Sequence, residues 1–155
     1  MAVQPIPEGY HSVTPSLALD DATAAIEFYK QAFGATERMR MAAPDGRVGH
    51  AELEIGDSLV MLSDTFEQSS VRSPRELGGT TSSVFLYVED VDAVVERAVE
   101  AGATVTMPVE DMFWGDRFGS IQDPFGHSWA IATHKEDLTE EEMRARAEQA
   151  MASMT

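Results

Sequence analysis

Hydrophobic and polar positions along the chain fall into two periods, and those periods follow one another in the same order twice. Ser12 to Leu19 is rich in strand-forming residues. Asp20 and Asp21 then supply an N-cap and an acidic first turn, after which Ala22, Ala25, Ile26, Tyr29 and Phe33 recur at helical spacing. Glu27, Lys30 and Gln31 lie off that stripe, and Gly34 stops the helix. Three strands are predicted next, Thr36 to Ala42, Val48 to Ile55 and Ser58 to Ser63, separated by Pro44-Asp45-Gly46 and Gly56-Asp57. Asp64 to Thr81 has no periodicity and reads as a long connection. The order then restarts with a strand at Ser82 to Val88, an N-cap at Asp90 and a helical stripe of Val91, Val94, Val95 and Ala98 ending at Gly102. Strands at Thr104 to Val109, Arg117 to Gln122 and Ser128 to Thr133 complete it, the last two joined by the turn Asp123-Pro124-Phe125-Gly126.

Setting Asp21 on Asp90 superimposes the two halves at an offset of 69, which also places Ile26 on Val95 and Glu27 on Glu96. The pattern therefore predicts an α+β protein of two βαβββ modules, residues 10–64 and 82–137, joined by a linker at 65–81. The modules form a curved, mostly antiparallel sheet with the helices outside and a cavity between the open faces. Residues 138–155 form a tail, in which Thr139 to Glu142 fits a capping box and Leu138 to Met151 reads as a helix. Its apolar edge is thin, so it either packs on the body or a second subunit, or stays solvated.

Composition narrows the function classes. A formal charge of −16, from 27 acidic and 11 basic residues without a segregated basic patch, argues against nucleic acid as a partner. No apolar run approaches the ~20 residues that span a bilayer, and MAVQPIPEGYH lacks the features of a leader, so a cytoplasmic protein without a membrane partner is expected. The absence of cysteine removes disulfides, thiolate nucleophiles and cysteine metal sites.

The duplicated module, the segments AIEFYKQAFGA and VEDVDAVVERAVEAGA, and the turn DPFGHSW together resemble the vicinal oxygen chelate superfamily, the glyoxalase and bleomycin-resistance group. FWGDRFG, DPFGHSW and ATHKED most resemble its PhnB-like branch. The resemblance implies a homodimer and, in the metal enzymes of the group, ligands on the first and last strands of each module. Carried onto this chain, those positions are Thr14 and Met61 in module one and Ser83 and Ala130 in module two. A thioether, a methyl and two neutral hydroxyls are poor partners for a divalent cation, so neither metal nor other cofactor is expected.

The remaining chemistry lies in a few side chains. His50 and Glu52, two apart in one strand, point to the same face, away from Ala51, Leu53 and Ile55. They form either a base with its orienting carboxylate or a hydrogen-bonded polar pair lining a wet cavity. Arg117 either holds a polarised oxygen or carboxylate of a ligand, or is tied down by Asp116. Phe113 and Trp114 read as a pocket wall or as a cap on the core edge. Ser83, Phe85 and Tyr87 point inward by alternation and, with Thr14, Ser16, Leu59 and Met61, suggest a mostly apolar small-molecule pocket. His127 reads as structural, His134 as solvated, and Arg72 and Arg75 either as closing over an anion or as solvated. Two functions follow. The first is a metal-independent protein that sequesters or carries a small, partly aromatic ligand. The alternative is a lyase, isomerase or dioxygenase acting on a carbonyl or polarised substrate through His50, Glu52 and Arg117.

Overall fold

The computed structural model describes residues 2–154. Its elements are β1 (Ser16–Leu19), α1 (Ala22–Phe33), β2 (Thr36–Ala42), β3 (Val48–Ile55), β4 (Ser58–Asp64), α2 (Pro74–Leu77), β5 (Ser83–Tyr87), α3 (Val91–Glu100), β6 (Thr104–Asp111), β7 (Asp116–Gln122), β8 (Ser128–His134) and α4 (Glu140–Ala152). The βαβββ order is present twice. The strands form two four-stranded sheets, β1-β4-β3-β2 and β5-β8-β7-β6, in which only β1 with β4 and β5 with β8 run parallel.

The offset of 69 holds in the hydrogen-bond register. Ser16 lies opposite Met61 in module one, and Phe85 lies opposite Ala130 in module two. The helix anchors repeat as well. Asp64, ending β4, accepts from Ala22 N and Val48 N at 2.7 Å each. At the equivalent place Thr133 Oγ1 accepts from Val91 N at 2.9 Å. In both modules, a side chain from the last strand thereby satisfies the first orphan amide of the helix. Asp21 and Asp90 cap the same helices through Ala24 N and Ala93 N, each at 3.1 Å.

α1 and α3 cover one face of each sheet and pack against each other, so a single apolar core runs through both modules. Tyr29 and Trp129, both buried, lie at its centre with ring centroids 5.2 Å apart. The opposite faces of the sheets stay open. Phe85, Tyr87, Met41 and Met107 are 48%, 59%, 55% and 47% exposed, an unusual amount of large apolar surface for these positions.

Three local expectations change. β1 starts at Ser16, because Pro15 has no amide hydrogen to donate and residues 2–15 run as an irregular arm instead. The connection contains α2, a single turn with a complete Ser73–Glu76 capping box and Pro74 at its start, too short for periodicity to reveal. Arg75 in that turn is a structural tie, bonding Asp20 Oδ2 of module one at 2.9 Å and the carbonyl of Pro124 in module two. α4 buries none of its residues, yet it is docked at one point. Arg146 reaches Glu136 at 2.7 Å and the carbonyl of Phe113 at 3.4 Å. Among the described residues no helix is long and apolar enough to cross a membrane.

Candidate functional site

Pairing of the strands places Met39, Glu52, Met61 and Ser16 in one row across the open face of module one. The matching row in module two is Met107, Ser120, Ala130 and Phe85. The open faces therefore carry related positions with different chemistry, a carboxylate in one and an aromatic ring in the other.

Over the first row lies the N-terminal arm. The Tyr10 hydroxyl donates to Glu52, Arg38 sits 5.8 Å from the Tyr10 ring, and Arg38 Nη2 donates to the Glu8 carbonyl at 3.2 Å. Between arm and sheet is a cavity of about 500 Å³ whose wall includes Tyr10, Thr14, Arg38, Glu52 and Met61. His50 Nε2 is 3.8 Å from Glu52 Oε1, beyond hydrogen-bond range, so Glu52 is bonded to Tyr10 and not to His50. The aperiodic residues before Pro15 gave no signal for this arm, which is why Tyr10 escaped sequence reasoning.

A second cavity of about 460 Å³ lies between the modules, walled by Thr14 and Leu59 on one side and by Phe85, Tyr87 and Trp129 on the other. Phe85 is the centre of an aromatic cluster. It lies 5.0 Å from Tyr87 and 5.7 Å from Phe118, which in turn lies 5.5 Å from Trp114 and so extends the cluster toward Phe113. Ser83 is exposed on the same face, opposite Ser128. Thr14, Phe85 and Tyr87 are thus brought to one cavity, Met61 lines its neighbour, and Ala130 lies beneath Phe85 in the row.

Arg117 is tied down, but not by Asp116. Its guanidinium bonds Asp92 at 2.7 and 3.0 Å and Asp111 at 3.2 Å, which raises its pKa further; Asp116 is not its partner. Asp116 instead is a buried hub, 3% exposed. It accepts from Tyr87 OH at 2.9 Å, from Trp114 Nε1 at 3.0 Å and from His134 Nδ1 at 2.8 Å. Burial alone would push its carboxyl up, but these three donors outweigh it and hold the pKa below the ordinary value. The hub raises the Tyr87 hydroxyl, and the bonds from Asp116 and Asp137 raise His134. His134 is therefore not merely solvated. Its cross-strand pairing with Asp116 was the signal available in the sequence, since the two lie directly opposite on β8 and β7. His127 is structural as expected, bonding the Ala18 carbonyl at 2.8 Å.

Residues 10–131 match the model of the Glyoxalase/Bleomycin resistance protein/Dioxygenase superfamily, and the chain belongs to that superfamily. An uncharacterised protein of Mycobacterium bovis is 43% identical over 137 residues, 86% of this chain and 90% of that protein. Among solved structures, TioX from Micromonospora sp. ML1 is similar at 32% identity with a TM-score of 0.64, over 80% of this chain and 98% of that one. A Bacillus cereus structure described as a putative 3-demethylubiquinone-9 3-methyltransferase, PhnB protein, shares the fold at 19% identity and a TM-score of 0.62, over 79% of this chain and 99% of that one.

Metal chemistry in the superfamily calls for a compatible donor set. Here the strand register sets Ser16 and Phe85 beside Met61 and Ala130, and no group of three or more His, Asp or Glu able to hold a metal exists among the described residues. A thioether, a methyl, a phenyl ring and a single hydroxyl do not fit a hard or borderline divalent cation.

Proposed function

We propose that the protein binds a small, partly aromatic molecule without a metal ion, acting as a binding or carrier protein in the cavity between Thr14 and the Phe85–Tyr87 pair. The observation that carries this reading is the exposed Phe85 and Tyr87, their rings 5.0 Å apart and tilted by 39°, lining a cavity between the modules. An aromatic face costs about 25 cal/mol for each Å² of apolar surface left in water, and a planar ligand would recover part of that. The lyase, isomerase or dioxygenase alternative rests on His50, Glu52 and Arg117. It receives less support, because Arg117 is held within module two by Asp92 and Asp111, and neither His50 nor Arg117 lines the cavities at Thr14 and Tyr87.

The open faces also favour a homodimer, in which the exposed Met41 and Met107 of one chain are covered by a second copy and the Phe85–Tyr87 pair stays free for the ligand. Fluorescence titration with a naphthalene probe tests the binding reading. Saturable binding that Phe85→Ala weakens by about tenfold supports it, in line with ~1 kcal/mol or more for a lost aromatic pair. Equal binding by Phe85→Ala rejects it.

A further inference from the structure

The N-terminal arm is held at two places with a loose stretch between them. At one, the Pro15 carbonyl accepts from Met61 N at 2.9 Å, which fixes the arm to β4. At the other, residues 8–10 are tied to the open face of module one. The Tyr10 hydroxyl donates to Glu52, Arg38 Nη2 donates to the Glu8 carbonyl at 3.2 Å, and the Arg38 guanidinium lies 5.8 Å from the Tyr10 ring. The chain passes so close to Arg38 here that a Cβ on Gly9, whose φ is +86°, would stand 2.8 Å from Arg38 Nη1. Residues 11–14, between the two attachments, make no hydrogen bond among the described residues. Val3, Ile6 and Val13 are exposed, so apolar burial adds little to hold the arm down.

This arm stands between two cavities. The space of about 500 Å³ beneath it is walled by Ile6, Pro7 and Tyr10 of the arm and by Arg38, Glu52 and Met61 of the sheet. The space of about 460 Å³ between the modules holds Phe85 and Tyr87. The two residues common to both walls, His11 and Thr14, belong to the arm. Lifting the arm would therefore join the two spaces and uncover the module-one side of the aromatic cavity. A segment fixed at one end and closed at the other by a few polar contacts is built as a lid is built.

We propose that the N-terminal arm is a lid on the ligand cavity, hinged at residues 11–14 and latched by Tyr10 on Glu52, which opens to admit and release the ligand. This role rests on the aromatic binding reading above, and latch and ligand are read separately. Tyr10→Phe keeps the ring and removes the donor. Limited digestion of the full chain with chymotrypsin, which cuts after either residue, reads the latch with no ligand present. Cleavage after position 10 should be about tenfold faster in the variant, the factor expected of a lost hydrogen bond to a charged acceptor when cutting follows the open population. Stopped-flow mixing with the naphthalene probe reads the gate. Association and dissociation should both quicken by about that factor, with the affinity changed by less than about threefold. Arg38→Gln, which removes the other two contacts, should act in the same direction. Equal cleavage of wild type and Tyr10→Phe overturns the latch. Faster cleavage with unchanged probe rates overturns the lid and leaves the binding reading in place, whereas no saturable probe binding to either protein overturns both.

Discussion

The Tyr29 hydroxyl, on the helix of module one, donates to Asp123 Oδ2, in the last turn of module two, across 2.6 Å. Both groups are buried, and Asp123 also accepts from Trp129 Nε1 at 3.0 Å and from the amides of Phe125 and His127 at 2.9 Å each. Burial, and then Asp123 itself, push the Tyr29 pKa well up, so the hydroxyl remains a donor. One carboxylate thus shapes the DPFG turn and joins the two halves of the duplicated fold.

Tyr29→Phe removes that joint and leaves Asp123 with three donors. The expected cost is about 1–3 kcal/mol, or roughly 3–10 °C in melting temperature for a chain of this size. Thermal unfolding followed by circular dichroism measures it; an unchanged midpoint would mean that this bond adds nothing to the joint between the modules.

Gly115 is the pivot on which the segment after β8 rests. Its carbonyl accepts from Lys135 N and Glu136 N at 2.9 and 3.0 Å, its φ is +99°, and a Cβ there would meet the Glu136 carbonyl at 2.6 Å. Gly115→Ala should cost about 1–3 kcal/mol and free the α4 segment to proteolysis, read as faster tryptic cleavage at Arg144.

The junction of His134 with Asp116 carries a defined pH dependence. His134 is raised above 6.5 in the folded protein by Asp116 and then Asp137, so its contribution is complete below about pH 6.5 and is lost as pH rises through the folded value. Asp116, although burial opposes it, is lowered below 3.8 by His134, Tyr87 and Trp114. Its contribution is complete above about pH 3.8 and is lost as pH falls through the folded value. The segment should be tightest between those limits. Proton titration of the His134 ring by resonance frequency checks the upper limit, with a midpoint above 6.5 expected and one at or below 6.5 contrary.

Covering Met41 and Met107 with a second copy predicts sedimentation at twice the monomer mass. Met107→Lys, which sets a charge on an exposed position of the β6 face, should shift the equilibrium toward monomer without lowering the melting temperature of the fold by more than about 0.5 kcal/mol equivalent.

Much of the fold was legible because it is written in periodicity. The two helical stripes, their capping aspartates and the offset of 69 recur in the register of Ser16 with Met61 and Phe85 with Ala130. The site was legible only where alternation fixes a face, as at Phe85 and Tyr87. Partners set by distant segments were not. Nothing local couples Tyr10 to Glu52, 42 residues away, or Arg117 to Asp92, 25 residues away. Adjacency suggested Asp116 as the partner of Arg117, but neighbours in a strand point to opposite faces, and Asp116 turns instead to Tyr87 and His134.

The central claim, ligand binding at Phe85 and Tyr87 without a metal, is tested most directly by titrating the naphthalene probe into protein dialysed against EDTA and into the same protein supplied with zinc, magnesium, manganese or iron(II). The account predicts one affinity in every case. Binding that disappears on chelation and returns with one of those ions would contradict it.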